Sequence, residues 1–343
     1  MSALGRRLLL PLVAGLLCLQ LAPAIAAGGP PPSGAAAGRI CTPRLLVLAS
    51  MPSELGPLLA ATKLDPGQPV TRSGRHFFLG TLEGKRVILG MVGTGMVNSR
   101  QMAEAAFGGF RCGSRSAITA VVYSGVAGAG QGSAIGDVTV PERWTLDNGR
   151  TWLRSDARML NTARAVVKSH AVKLERTTPL GSPGCACQPD QVKTVTLTHT
   201  PRVIVGGNGQ SYDTFGGKAF PCVPGGGDIF GCEPCPYDTA STSDVPRALA
   251  DAVPFLTLQE FISNLGPAAS PSEVKYEASD NETAATHLVA TEHKTPFIGF
   301  RAISDGTPDP LMLPGYPSQF FVYYQLAAEN AAIAARAFIR HWR

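Results

Sequence analysis

Residues 295–306 read TPFIGFRAISDG, a short apolar run that ends on Ser, Asp and Gly. The run is continuous, rich in aromatic and β-branched residues, and too short for an ordinary helix. It predicts a strand buried on both faces. Its exit is the informative part. Asp305 before Gly306 is either a turn former or a proton donor aimed into a site, and the stretch alone does not choose. Other stretches have the same form. RLLVLA (44–49) runs into SMPSE (50–54), VILGMV into GTGMVN (93–98), AITAVVY into SGVAGAG (124–130), and RVIV into GGNGQS (206–211). Small and polar residues at strand exits are what the ligand crevice of an open α/β sheet requires.

Between these strands lie helical patterns. They cover MPSELGPLLAAT with Ser53 as expected N-cap, MVNSRQMAEAAFGGF, RMLNTARAVVKSH, Asp280 to His293, and a long C-terminal segment from Gln319 to Trp342. HFFLGTLEGKRVILGMVG (76–93) predicts a hairpin turning at EGK, IGDVTVPERWTLD (135–147) and RVIVGGNG (202–209) one strand each, and VPFLTLQEFISNLG (253–266) mixes both periods. The alternation predicts an α/β fold, a three-layer α/β/α sandwich with a mixed central sheet.

The chain has 343 residues, 44% hydrophobic and 16% charged, with a formal net charge of +5. There is no basic stripe with interleaved aromatics, so no nucleic-acid partner is expected. MSALGRR, an apolar run and APAIAA form a basic, hydrophobic and small-residue series that predicts a signal peptide over residues 1–26. Residues 27–40 predict a flexible linker, and 41–343 the folded domain, with a Cys/Gly/Pro-rich insertion at about 181–245. An exported, periplasmic or secreted protein without a stable membrane anchor is expected. Of the cysteines beyond the leader, Cys185, Cys187, Cys222, Cys232 and Cys235 crowd into the insertion. Their spacing suits zinc as well as disulfides, and export favours disulfides. No metal and no cofactor is expected.

The set SMPSE, GTGMVN, SGVAGA…IGDV, NETAA and PFIGFRAISD, in this order, resembles the purine nucleoside phosphorylase and nucleosidase superfamily. It looks closest to its methylthioadenosine/S-adenosylhomocysteine nucleosidase branch and the secreted proteins related to it. The resemblance implies roles. Asp305, steadied by Ser304, would protonate purine N7. Glu282 would hold the ribose hydroxyls, and Glu54 would activate water. Asn281 stands where the family usually has Met under the sugar. Gly93, Ser124 and Gly125 would wall the sugar side through backbone groups, and Gly209, Gln210 and Ser211 would lie against the base. Each carboxylate also has a plain reading as a first-turn helix residue or turn former. Arg301 is expected as an ion-pair partner, and His287 and His293 as structural helix residues.

The implied activity is N-ribosyl hydrolysis of a purine (5′-thio)nucleoside. Phosphorylases of the family begin the SGVAG segment with a phosphate-holding Arg; here that position is Tyr123, which favours water over phosphate. The alternatives are a phosphate-dependent phosphorylase and a catalytically idle nucleoside-binding or storage protein. A homo-oligomer, dimer or trimer, is the family habit. The FFVYY cluster (320–324) is either interface or helix core.

Overall fold

The computed structural model describes residues 42–179, 194–237 and 274–343. The leader, the linker, Cys41, Cys185, Cys187 and the segment 253–266 lie outside the described residues.

Arg44–Ala49 forms β1, as its apolar run predicts, and Pro52–Ala60 forms α1. This helix starts one residue after Met51, not at Ser53. Pro52 occupies the first helical position, where its missing N–H costs nothing. Glu54 then sits at the third position and accepts the Met51 N–H at 3.1 Å, one arm of a capping box. Arg75–Leu82 (β2) and Lys85–Met91 (β3) make the expected hairpin, with Glu83 and Gly84 at positive φ in its turn. Met96–Gly109 is α2, and Ile118–Ala129 is β4, one long strand extending through the SGVAGA segment.

Two single-strand expectations split. Residues 135–147 give Val138–Val140 (β5) and Arg143–Thr145 (β6), broken at Pro141, which has no N–H for a ladder. Ala157–Lys168 is α3. Residues 202–209 give Val203–Val205 (β7) and Asn208–Ser211 (β8), with Gly206 and Gly207 at positive φ forming the corner. Ala278–Asp280 (β9), Thr283–Glu292 (α4), Phe297–Asp305 (β10) and Ser318–His341 (α5) complete the frame.

β4 is the hub of the mixed sheet. It pairs parallel with β1 on one side and β10 on the other, and antiparallel with β9 at its end. β1 pairs parallel with β3, whereas β2 and β3 are antiparallel. Both faces of β1 are buried. Leu45 and Val47 join α1, α3 and α5 in one cluster, and Leu46 and Leu48 join α2 and α4 in the other. That is the three-layer sandwich predicted from the alternation. Each such leucine contributes about 1.5–3 kcal/mol by burial. Tyr323 and Tyr324 are core residues of α5, which settles that half of the FFVYY cluster. No helix among the described residues is long and apolar enough to cross a membrane.

Candidate active site

The strand exits converge on one cavity of about 480 Å³. Its ionisable lining comprises Glu54, Asp280, Glu282, Arg301 and Asp305. Three elements deliver them: the β1–α1 turn, the β9–α4 junction and the end of β10.

Glu54 is 1% exposed. Its Oε2 accepts the N–H groups of Ser50 (2.5 Å) and Met51 (3.1 Å), and its Oε1 accepts that of Val126 at 2.7 Å. The helix start therefore pins the carboxylate against the middle of β4. Burial raises its pKa, opposed by Arg301 and the three backbone donors. Gly125 makes this approach possible. A Cβ there would stand 2.6 Å from both Glu54 Oε1 and Arg301 Nη1.

Arg301, buried in β10, is the electrostatic centre. Its Nε lies 3.1 Å from Asp280 Oδ2, its Nη2 lies 3.3 Å from Glu282 Oε2, and its Cζ lies 5.2 Å from the Tyr123 ring centroid. Burial works against its charge, but Asp280, Glu54 and Glu282 outweigh it and push its pKa above the ordinary value. It is the ion-pair partner expected, and it also lines the cavity. Tyr123 is fully buried, bonded through its hydroxyl to Ser50 Oγ at 2.9 Å, and held protonated first by burial.

Glu282 accepts the Gly95 N–H at 2.8 Å through Oε1. Gly95 has φ +98°, and a Cβ on it would meet the Phe215 ring at 2.8 Å, so glycine is needed twice over. Burial raises the Glu282 pKa to about 7, with Arg301 pulling down and Asp280 pushing up. Three carboxylates around one guanidinium leave two charges uncompensated, so the proton's return to Glu282 near neutrality is reasonable. Asp280 organises the junction. Its Oδ1 accepts Ser211 Oγ–H at 2.5 Å and the N–H groups of Glu282 and Thr283, and its Oδ2 accepts Thr283 Oγ1–H. This capping role explains why α4 begins at Thr283 and not at Asp280.

Asp305 pairs with Gly128 across a register shift that makes Ser304 the extra residue. The bulge re-aims the carboxyl into the cavity, where Oδ2 lies 2.9 Å from the point a Gly128 Cβ would occupy. Ser304 Oγ donates to Asp305 Oδ1 at 2.8 Å. Burial raises the Asp305 pKa, only partly offset by that hydrogen bond. One wall can thus donate a proton, while the other holds carboxylates on fixed backbone donors.

Of the residues singled out in the sequence, Glu54, Glu282, Asn281, Ser304 and Asp305 line the cavity. Gly125 shapes it from behind. Asn281 Oδ1 accepts Thr214 Oγ1–H at 2.5 Å. Gly93, Ser124, Gly209, Gln210 and Ser211 are not among the lining residues. Gly209 packs under Trp144 and Ser211 supports Asp280 and the Ala284 N–H. The ring at the base-side wall is Phe215, four residues past that exit. His287 stacks on Phe297 and His293 on Phe107, outside the cavity, and burial pushes the His287 pKa down to about 3. Asp280, Phe215, Phe220, Ile229 and Phe230 were not anticipated. Asp280, two residues before Glu282, carried a readable signal as a helix-capping acid. The other four lie in the aperiodic insertion.

Cys222 and Cys232 form a disulfide, which takes Cys232 out of the zinc alternative. Among the described residues no cluster of His, Cys, Asp and Glu could hold a metal ion.

Comparisons agree with this geometry. The phosphorylase superfamily profile matches residues 44–192. Protein Rv2293c of Mycobacterium tuberculosis is 43% identical over 203 residues, 58% of this chain and 80% of that protein. Rv2292c of the same organism is 55% identical over 67 residues, 20% of this chain and 90% of its own length. Among solved structures, the methylthioadenosine/S-adenosylhomocysteine nucleosidase of Neisseria meningitidis, in complex with methylthio-immucillin-A, aligns with TM-score 0.52 at 18% identity, covering 87% of this chain and 99% of that one. Futalosine hydrolase of Helicobacter pylori aligns with TM-score 0.52 at 15% identity, covering 88% and 99%. At such identities the likeness concerns the fold. Taken together with the profile match and the mycobacterial relative, it establishes that this chain belongs to the phosphorylase superfamily.

Proposed function

We propose that the protein hydrolyses the C1′–N9 bond of a purine nucleoside, releasing free base and sugar. The observation that carries this reading is the meeting of Glu54, Glu282 and Asp305 in one cavity with a single guanidinium. Asp305, kept protonated by burial, donates its proton to N7 as the C1′–N9 electrons leave with the base. Phe215 gives the base a ring to stack on. Glu282, steadied by Gly95 and Arg301, accepts from the ribose hydroxyls. Glu54 takes a proton from water as its oxygen attacks the oxocarbenium-like C1′. The two acids end with exchanged protonation, and solvent restores them.

Water is favoured over phosphate by charge. Four carboxylates face one arginine that is already paired. Each like-charge contact near 4 Å costs a phosphate dianion about 4 kcal/mol at an effective dielectric of 20. The same reading places the protein outside the cytoplasm, supported by the N-terminal signal and by the Cys222–Cys232 disulfide. Light scattering measures the expected dimer or trimer. The test of activity is a coupled assay for purine release with and without phosphate. Release in both conditions supports hydrolysis, and release only with phosphate assigns phosphorolysis. Tight nucleoside binding without release assigns the idle binding protein.

A further inference from the structure

The charged lining of the cavity comes entirely from the strand exits and the start of α4. The remaining wall comes from the loop 213–232 and from residues around the start of α5, and neither places a charged side chain on the cavity. Ile229 and Phe230 from the loop meet Phe320 and Phe321 there. Phe230 and Phe321 are 38% and 50% exposed, apolar surface that an apolar ligand group would cover.

The loop is firmly held although its sequence is aperiodic. The disulfide closes it between Cys222 and Cys232. Asp228, 3% exposed, accepts the Tyr324 hydroxyl at 2.6 Å and Gln325 Nε2–H at 3.1 Å. Asn98 Nδ2 donates to the Phe220 carbonyl at 2.7 Å. Gly231 lies close enough to Pro52 that a Cβ on it would be 3.2 Å from Pro52 Cγ. Ile229 and Phe230 therefore sit at the Met51–Pro52 end of the cavity, beside Glu54. With the base at Asp305 and the ribose hydroxyls at Glu282, the substituent that reaches this end is the one on C5′.

We propose that Ile229 and Phe230 are specificity-determining residues that select a purine nucleoside with an apolar 5′ group. This rests on the hydrolase reading above. A 5′-phosphate or an amino-acid head would lose its hydration against these rings and find no charged partner among the lining residues. Apolar selection of this kind is worth roughly 10–200-fold per methylene-sized change.

The test compares adenosine, 5′-butylthioadenosine and adenosine 5′-phosphate on the wild type, Phe230→Ala, Phe230→Leu and Ile229→Ala. Both kcat/KM and the calorimetric Kd are measured. The expected result is at least a 10-fold wild-type preference for the butylthio compound over adenosine, with the 5′-phosphate weakest. Phe230→Ala cuts that preference about 10-fold and leaves adenosine within about 3-fold, while Phe230→Leu keeps most of it. Equal use of the three compounds by the wild type, or equal loss on adenosine and its butylthio derivative in Phe230→Ala, overturns the proposal. If the wild type releases no base from any compound, the hydrolase reading fails by itself. The Kd ranking then decides the inference: the same order upholds it, and equal affinities overturn it.

Discussion

Gly125→Ala is the smallest change that addresses the carboxylate–guanidinium centre. The new methyl would stand 2.6 Å from Glu54 Oε1 and 2.6 Å from Arg301 Nη1, while ordinary contact begins at 3.4 Å. Relief requires Glu54 Oε1 to retreat by about 0.8 Å, which stretches its 2.7 Å bond from Val126 N–H past the useful hydrogen-bond range. Glu54 cannot swing freely, because Ser50 and Met51 hold its other oxygen. Losing one charge-assisted bond costs about 1.5–3 kcal/mol. Displacing a reacting group by about 1 Å costs on the order of 10²-fold in rate. The expected outcome is a fall of about 10²-fold in kcat/KM for purine release, a Tm lower by several degrees and an unchanged far-UV spectrum. The control is Gly56→Ala in α1, where a Cβ meets nothing within 4 Å and helix propensity rises by about 1 kcal/mol. Wild-type activity and Tm in Gly125→Ala would refute the placement of Glu54 and Arg301 over that glycine.

Two further changes probe the acids. Asp305→Asn keeps the shape but removes the proton, so purine release should drop by about 10²–10⁴-fold while nucleoside Kd changes little; activity within a few-fold of wild type removes Asp305 as the acid. Glu282 bears on stability through its pKa, raised from 4.5 to about 7. A raised carboxylate pKa means that the folded state holds the extra proton, so its contribution is full below pH 4.5 and is lost as pH rises through 7. The wild-type Tm, relative to Glu282→Gln, should therefore fall between pH 4.5 and 7.5. A difference that stays flat across that range contradicts the shift.

The frame was legible because strand and helix periods were strong. RLLVLA, the EGK hairpin and PFIGFRAISD became the elements their patterns predict, and the order of exits brought Glu54, Glu282 and Asp305 into one cavity. The errors have local causes. Pro141 and the Gly206–Gly207 corner broke two apparent strands, and both breakers were visible in the sequence. Asp280 took the capping role and moved the start of α4 by three residues. The base-side wall was expected at Gly209, Gln210 and Ser211, whereas the structure uses those residues to support Trp144 and Asp280. The aromatic wall that completes the cavity lies in residues 213–232, where position depends on a disulfide and on contacts to α1, α2 and α5. No periodicity encodes such long-range contacts, so Phe215 and Phe230 could not be placed from sequence alone.

The central claim is that water is the nucleophile in a three-carboxylate site. It is tested most directly by incubating the protein with a purine nucleoside in phosphate-free buffer made with ¹⁸O water and weighing the released sugar. The account predicts free base together with a sugar carrying one solvent oxygen at C1′, at a rate that added phosphate does not raise, after allowing for exchange at C1′ with a no-enzyme sugar control. A sugar 1-phosphate formed only when phosphate is present, or no base release from any purine nucleoside, would contradict it.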